Sequence, residues 1–132
     1  MIVIDSSVWI DFFNGIATAE VERLRSLIGR QPLLVGDMVL LEVLQGVADE
    51  RAARRVESAL RRFDFAPMLW PELAVQGAAN YRRLRQRSIT LRKTIDLIIG
   101  TFCIAHRHTL LTSDRDFVPM AEHLGLKLLQ EH

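Results

Sequence analysis

The chain has a single cysteine and no long apolar run, which excludes several common classes of protein. Its one cysteine, Cys103, lies in an apolar run, so an intrachain disulfide is excluded and a small core residue is predicted. The longest nearly apolar stretch, residues 97–105, is much shorter than the ~20 residues that span a bilayer. The first residues contain neither a basic leader nor a cleavage site. We therefore expect a soluble, cytoplasmic protein without a secretory signal.

Several familiar catalytic motifs are also absent from the sequence. It contains no glycine-rich phosphate loop and no Ser-His-Asp arrangement. His106 and His108 flank a single arginine, but no second histidine cluster or further cysteine accompanies them. We interpret both as surface or loop residues, so the sequence gives no indication of histidine-based catalysis.

The net charge is only +1, but the charges are unevenly distributed along the chain. Residues 1–50 contain 3 arginines and 8 acidic residues, whereas residues 51–93 contain 11 basic and 3 acidic residues. No acidic residue occurs between positions 82 and 93. A basic middle between acidic ends indicates a polyanionic partner.

Short β-like runs alternate with helical patterns along the whole chain. Five strands are predicted, at residues 2–5, 33–35, 65–69, 109–112 and 127–129. Helices are predicted at residues 6–13, 18–30, 37–46, 50–63, 71–87, 94–106 and 114–124. Strands separated by helices imply parallel pairing. We expect one α/β domain over residues 1–132, a three-layer α/β/α sandwich with a central parallel sheet of four to five strands.

Acidic residues stand where such a sheet would bring them together. Asp5 ends the first predicted strand, and Asp114 and Asp116 follow the fourth. Ligands of open parallel sheets bind beyond the carboxyl ends of the strands, so these three carboxylates should meet at one edge. Glu42 and Asp96 lie among aliphatic residues, where an unpaired carboxylate is costly.

Most of these acids also have a purely structural interpretation. Asp5 and Asp114 could cap the helices that follow them, and Asp96 and Asp116 could stabilise helix dipoles. As a cluster they require a cation, because two carboxylates about 4 Å apart repel by roughly 4 kcal/mol at an effective dielectric of 20. Mg²⁺ or Mn²⁺ meets this requirement, since hard ions prefer carboxylate and water oxygens.

Four segments in this order and spacing resemble the PIN-domain family. They are VIDSSVWIDFF, LLEVLQG, TIDLIIGTFCIAH and LLTSDRDF. The resemblance covers essentially the whole chain and is closest to the VapC-type toxins of bacterial toxin–antitoxin pairs. It implies a homodimeric, Mg²⁺- or Mn²⁺-dependent endoribonuclease that hydrolyses RNA and is inhibited by a cognate VapB-like antitoxin.

The resemblance also implies roles for particular residues. Catalysis and metal binding are assigned to Asp5, Glu42, Asp96 and Asp114. Asp116 is implied as a fifth metal ligand, and the hydroxyls of Ser7 and Thr112 match supporting positions. No member of the family's acidic set is missing, so the sequence does not indicate a degenerate copy.

The basic residues near Asp96 are candidates for RNA binding. We predict phosphate contacts for Arg85, Arg87, Arg92 and Lys93. The arginines of residues 51–62 could contact RNA, contact the antitoxin or simply face solvent. The sequence does not distinguish these three interpretations.

Other classes of protein fit the sequence less well. A phosphatase of the haloacid dehalogenase type needs a second aspartate two residues after the first, where Ser7 stands. A receiver domain needs a lysine after its last strand, whereas Lys127 lies inside the last predicted strand. A non-catalytic PIN-like module that binds RNA or a partner stays open as the alternative. The sequence identifies neither the RNA, nor the number of metal ions, nor the antitoxin.

Overall fold

A five-stranded parallel sheet forms the centre of the molecule. The computed structural model describes residues 1–129. The strands are β1 (Ile2–Ile4), β2 (Leu33–Gly36), β3 (Asp64–Ala66), β4 (Thr109–Leu111) and β5 (Lys127–Leu128). They lie in the order β3-β2-β1-β4-β5, and every neighbouring pair is parallel. The predicted parallel sheet of four to five strands is confirmed.

Helices cover both faces of this sheet. The α-helices are α1 (Ser6–Phe13), α2 (Ala19–Leu27), α3 (Asp37–Gln45), α4 (Glu50–Leu60), α5 (Pro71–Arg85), α6 (Thr94–His106) and α7 (Val118–Leu124). Right-handed crossovers place α1–α4 on one face and α5–α7 on the other, because the chain runs outward to β3 and then returns to β4 and β5. Packing of α1 on α2 and α3, and of α5 on α6 and α7, follows this division. The predicted three-layer sandwich is confirmed.

The buried strands explain why the chain folds around this sheet. Val3, Ile4, Val35 and Leu110 have no exposed surface, as expected for parallel strands covered on both faces. Cys103 is buried in α6, as predicted. Within residues 1–129, no helix is both long enough and apolar enough to cross a membrane.

The predicted bounds differ from the observed ones mainly at the ends of elements. Strand β3 ends at Ala66 rather than at residue 69, because Pro67 has no N–H with which to continue the ladder. Helices α2, α4 and α5 end before their predicted last residues, 30, 63 and 87. The predicted helix over residues 114–124 is a 3₁₀ helix (Arg115–Phe117) followed by α7, with Pro119 in the first turn of α7.

The strand order creates a potential ligand site at the carboxyl ends of two inner strands, β1 and β4. The chain leaves β1 toward β2 on one side, whereas β4 lies on the other side, so the topology switches between β1 and β4. Ile4 is in register with Leu111, and the backbone N–H of Asp5 donates to the carbonyl of Leu111 at 2.9 Å. The residues that follow β1 and β4 therefore lie side by side at this switch point, the usual ligand site of such sheets.

Candidate metal centre

Asp5 lies where β1 passes into α1, and it is almost entirely buried, at 2% exposure. Its Oδ2 accepts hydrogen bonds from the hydroxyls of Ser7, at 2.7 Å, and Thr112, at 2.9 Å. Its Oδ1 is buried and has no hydrogen-bond partner among residues 1–129. Burial raises the pKa of the Asp5 carboxyl, and the hydroxyls of Ser7 and Thr112 oppose that rise. One oxygen is thus fixed, and the other is free to bind a ligand.

The hydroxyls of Ser7 and Thr112 hold the segment after β4 against the end of β1 through hydrogen bonds. The backbone N–H of Ser113 donates to Ser7 Oγ at 3.1 Å, and that of Asp114 donates to Thr112 Oγ1 at 2.9 Å. Asp114 Oδ1 then accepts from the backbone N–H of Asp116 at 2.9 Å, which caps the 3₁₀ helix. The predicted supporting positions Ser7 and Thr112 therefore link the acids of the two strand ends.

Asp96 joins these acids from the first turn of α6. It is buried, and its Oδ2 has no hydrogen-bond partner in the described part of the chain. Burial, followed by the charges of Asp5 and Asp114, raises the pKa of the Asp96 carboxyl to about 7. Carboxylate oxygens of Asp96, Asp114 and Asp116 all lie within 4.8 Å of one another. Helix α6 thus places a buried acid next to the acids that follow β4.

Glu42 lies on α3, close enough for its charge to act on Asp96, but among the described residues it is not part of the group of acids whose oxygens lie within 4.8 Å of one another. It is half-buried, its Oε1 accepts a hydrogen bond from Ser6 Oγ at 2.8 Å, and its charge contributes to raising the pKa of Asp96. Sequence reasoning did not identify Ser6. The only available signal was its position beside Asp5, because its hydrogen-bond partner lies on a different element.

The acidic cluster, defined as Asp5, Glu42, Asp96, Asp114 and Asp116, fits a hard divalent cation. Buried polar atoms are normally hydrogen-bonded, and leaving one unsatisfied costs about 1–3 kcal/mol, more for a charged group. Asp5 and Asp96 each have one such oxygen in the region that the structure describes. A cation bonded to both would satisfy them and would offset the repulsion among the acids, and carboxylate oxygens are the ligands that Mg²⁺ and Mn²⁺ prefer.

The basic residues predicted to bind RNA lie at different positions relative to the acidic cluster. Lys93 Nζ lies 3.9 Å from Asp114 Oδ2. Arg92 lines a cavity that Asp116 also lines. Arg85 is the exposed last residue of α5, and Arg87, two residues beyond the helix, lines a second cavity. The structure therefore brings Lys93 and Arg92 to the acidic cluster, whereas Arg85 and Arg87 lie at and just after the end of α5.

Arg115 is a candidate that sequence reasoning missed. It lines the same cavity as Arg92 and Asp116. The available signal was its position between Asp114 and Asp116. It was not recognised because the side chain of a residue between two acids could equally face away from them.

Arginines of α4 and of the residues just after it form a separate basic surface. Arg51, Arg54, Arg55 and Arg62 line a depression of about 410 Å³. This helix leads into β3 at the edge of the sheet, whereas the acidic cluster lies at the switch point between β1 and β4. Whether residues 51–62 contact RNA, an antitoxin or only solvent stays open.

Comparison with known proteins agrees with this fold. VapC ribonuclease Mb1587 of Mycobacterium bovis is 25% identical to this chain over 132 residues, which covers 96% of each protein. VapBC2 from Rickettsia felis, solved bound to a DNA fragment from its promoter, covers 100% of both chains with a TM-score of 0.78 and 17% identity. A toxin-antitoxin complex from Klebsiella pneumoniae covers 100% of this chain and 98% of that chain, with a TM-score of 0.71 and 21% identity.

A family model decides the assignment. The PIN domain model matches residues 2–122, nearly the whole chain. The matched range includes all four segments on which the resemblance rested and every acid of the acidic cluster. The resemblance is therefore confirmed, and the chain belongs to the PIN domain family.

Proposed function

We propose that this chain is a metal-dependent endoribonuclease that acts as the toxin of a toxin–antitoxin pair. The observation that carries the proposal is a pair of buried oxygens, one on Asp5 and one on Asp96, that have no hydrogen-bond partner among residues 1–129 and lie beside the group formed by Asp96, Asp114 and Asp116. The relatives named above, a VapC ribonuclease and a toxin-antitoxin complex, support it. Metal-dependent cleavage of RNA separates this proposal from a non-catalytic PIN-like module that binds RNA or a partner.

The acids of the cluster share one task in this proposal, which is to hold the metal. Asp5, Glu42, Asp96 and Asp114, with Asp116, would hold one or two Mg²⁺ ions, or Mn²⁺ instead. A bound ion supplies a polarised water and positive charge beside the scissile phosphodiester. Ser7 and Thr112 hold Asp5 Oδ2, so that Oδ1 is the oxygen left for the ion.

Basic residues beside the acidic cluster would bring the RNA to it. Lys93, close to Asp114, and Arg92, beside Asp116, offer positive charge to phosphates next to the scissile bond. Positive charge here also offsets the repulsion between an acidic site and a polyanion. Arg85 and Arg87 would contact phosphates farther along the strand.

The proposal includes partners and a location. We infer a cognate VapB-like antitoxin that covers the acidic cluster, a homodimer of this chain, and action in the cytoplasm, where RNA substrates are available. Light scattering of the purified chain measures its oligomeric state, and co-expression with the product of a neighbouring small gene tests for the antitoxin.

Cleavage of total cellular RNA tests the nuclease directly. We expect cuts with Mg²⁺ or Mn²⁺ and none with EDTA. Asp5→Asn and Asp96→Asn should each lower the rate by more than about 100-fold, since even residues that only orient metal ligands contribute about 10–100-fold. Asp64→Asn, at an exposed aspartate of the edge strand β3, is the matched control and should cut normally.

Circular dichroism and thermal melting must accompany the assay, so that a loss of activity is not confused with a loss of fold. If folded Asp96→Asn cleaves RNA as fast as the unmodified chain does, the assignment of the acidic cluster is wrong. If RNA is cut equally well in EDTA, metal dependence is wrong.

A further inference from the structure

A cavity opens directly beside the acidic cluster. It lies between residues 89–92, which connect α5 to α6, and residues 115–119, which form the 3₁₀ helix and the start of α7, and its volume is about 280 Å³. Asp116 lines this cavity and is also one of the three acids whose oxygens lie within 4.8 Å of one another. A group bound in the cavity would therefore adjoin whatever is bound at the acidic cluster.

The lining of this cavity combines apolar surface with two guanidinium groups. Ile89, Leu91 and Pro119 are half-buried and supply the apolar part. Arg92 and Arg115 are exposed, and neither forms a salt bridge with any residue in positions 1–129. The flat face of an aromatic base can lie against such a surface and against a guanidinium plane, and a guanidinium can bind a phosphate through two parallel hydrogen bonds. A nucleotide offers both groups in one molecule.

A second cavity with a basic lining lies next to the first, between the same two segments of the chain. This cavity, of about 320 Å³, lies between the end of α5 and α7 and is lined by Arg83, Arg87 and His123. The two cavities are built from consecutive parts of the same two segments, residues 83–92 and 115–124. No acidic residue interrupts the chain between positions 82 and 93. Positively charged residues thus line both cavities, and the first of these cavities adjoins the acidic cluster.

We propose that the cavity lined by Arg92 and Arg115 is a subsite for one unpaired nucleotide next to the scissile phosphate of a single-stranded RNA. Arg115 binds its phosphate, and the base lies against Ile89, Leu91 and Pro119. A base in a duplex is stacked and paired and cannot enter such a cavity without being extruded, so the subsite selects unpaired RNA. The inference rests on the proposed function, since it takes the acidic cluster to be the cleavage site.

Binding of a short unstructured RNA labelled with fluorescein tests the subsite separately from catalysis. The measurements use the full chain with Asp96→Asn, so that the RNA stays intact. We expect Arg115→Gln to weaken binding roughly tenfold, because it removes a charge-assisted hydrogen bond to phosphate. The slope of log Kd against log salt should become shallower by about one. Arg30→Gln is the matched control. Arg30 is exposed and precedes β2, at the amino ends of the strands, whereas the acids lie at the carboxyl ends. Its loss should change neither the affinity for RNA nor the salt dependence of binding.

Two further measurements distinguish the competing outcomes. A duplex of the same length should bind more weakly than the single strand. In the cleaving protein, Arg115→Gln should lower cleavage at all mapped cut sites to a similar extent, because a phosphate contact carries no base preference. The subsite is refuted if Arg115→Gln behaves like Arg30→Gln, if duplex and single strand bind equally, or if only Arg54→Gln on α4 weakens binding. If the unmodified chain cuts no RNA but still loses affinity through Arg115→Gln, the cavity is confirmed as a site for unpaired RNA, whereas the nuclease proposal and the position of the cavity beside a scissile phosphate are both refuted.

Discussion

At the scale of single residues, Asp5 uses one carboxylate oxygen to cap a helix and leaves the other for the proposed metal ion. Its Oδ2 accepts from the backbone N–H and the hydroxyl of Ser7 and so begins α1, which fulfils the structural interpretation of this residue. Its Oδ1 remains without a partner in the described chain, which is what a metal ligand requires. The two interpretations therefore concern different oxygens of one carboxylate.

The raised pKa of Asp96 predicts how the metal-free protein responds to pH. The carboxyl titrates near 3.8 in the unfolded chain but near 7 in the folded one, so the folded state binds the proton more strongly between these values. The contribution of Asp96 to the free energy of unfolding should therefore fall as pH rises from about 4 to 7, whereas His108, whose pKa is lowered by burial, contributes in the opposite direction. Chemical denaturation in EDTA across this range measures it.

The comparison that isolates Asp96 is the same titration of Asp96→Asn, which lacks the carboxyl. The stability of this variant should depend less steeply on pH, although Asp5, whose pKa is also raised by burial, leaves part of the slope. Parallel curves for the two proteins would mean that Asp96 does not hold a proton at neutral pH in the folded chain.

At the scale of elements, the end of α5 contains a backbone conformation that its sequence does not favour. Ser88 has φ of 63°, in the left-handed region where glycine is normally preferred. The N–H of Ile89 donates to the carbonyl of Leu84 and that of Ser88 to the carbonyl of Arg85, the hydrogen bonds of a Schellman motif. This turn ends α5 and directs residues 89–92 toward the acidic cluster.

Ser88→Gly should stabilise the protein, because glycine adopts positive φ without a steric penalty of about 1–2 kcal/mol. Part of that gain is lost through the greater freedom of glycine in the unfolded chain. We expect an increase of about 0.5–1 kcal/mol in the free energy of unfolding, measured by urea denaturation. Ser113→Gly is a suitable control, since positive φ is not found there. A decrease for Ser88→Gly would show that the serine side chain matters more than the backbone strain.

At the scale of the whole molecule, the sheet brings together acids that lie far apart in the sequence. β1, β4, α3 and α6 each supply or precede at least one member of the acidic cluster. A cation bonded to several of these elements would hold them together, and a ligand that binds only the folded state stabilises it by mass action.

Added Mn²⁺ should therefore raise the melting temperature of this chain. At a free concentration about 100 times its Kd, the gain in stability is about 2.7 kcal/mol. The rise in melting temperature should disappear in Asp5→Asn and persist in Asp64→Asn. The two variants carry the same chemical change at different positions. This measurement needs no RNA. An equal rise in all three proteins would mean that Mn²⁺ binds elsewhere.

The sequence by itself determined the layers of the fold and the members of the acidic cluster. Alternating apolar runs and helical patterns predict the parallel sheet because burial requires those patterns, and the bounds of α1 and α6 match the predicted ones. Asp5, Asp114 and Asp116 were identifiable because strand ends meet at one edge, and Glu42 and Asp96 because their neighbours are apolar.

Only the tertiary structure decided how these residues meet. It pairs Ser6 with Glu42, joins Thr112 to Asp5, and places Arg115 beside Arg92 at one cavity. It also decides which oxygens of Asp5 and Asp96 lack partners among the described residues. The reason is physical: periodicity reports which face of an element is buried, whereas contacts of about 3 Å depend on strand register and crossover geometry, which the packing of the whole chain sets.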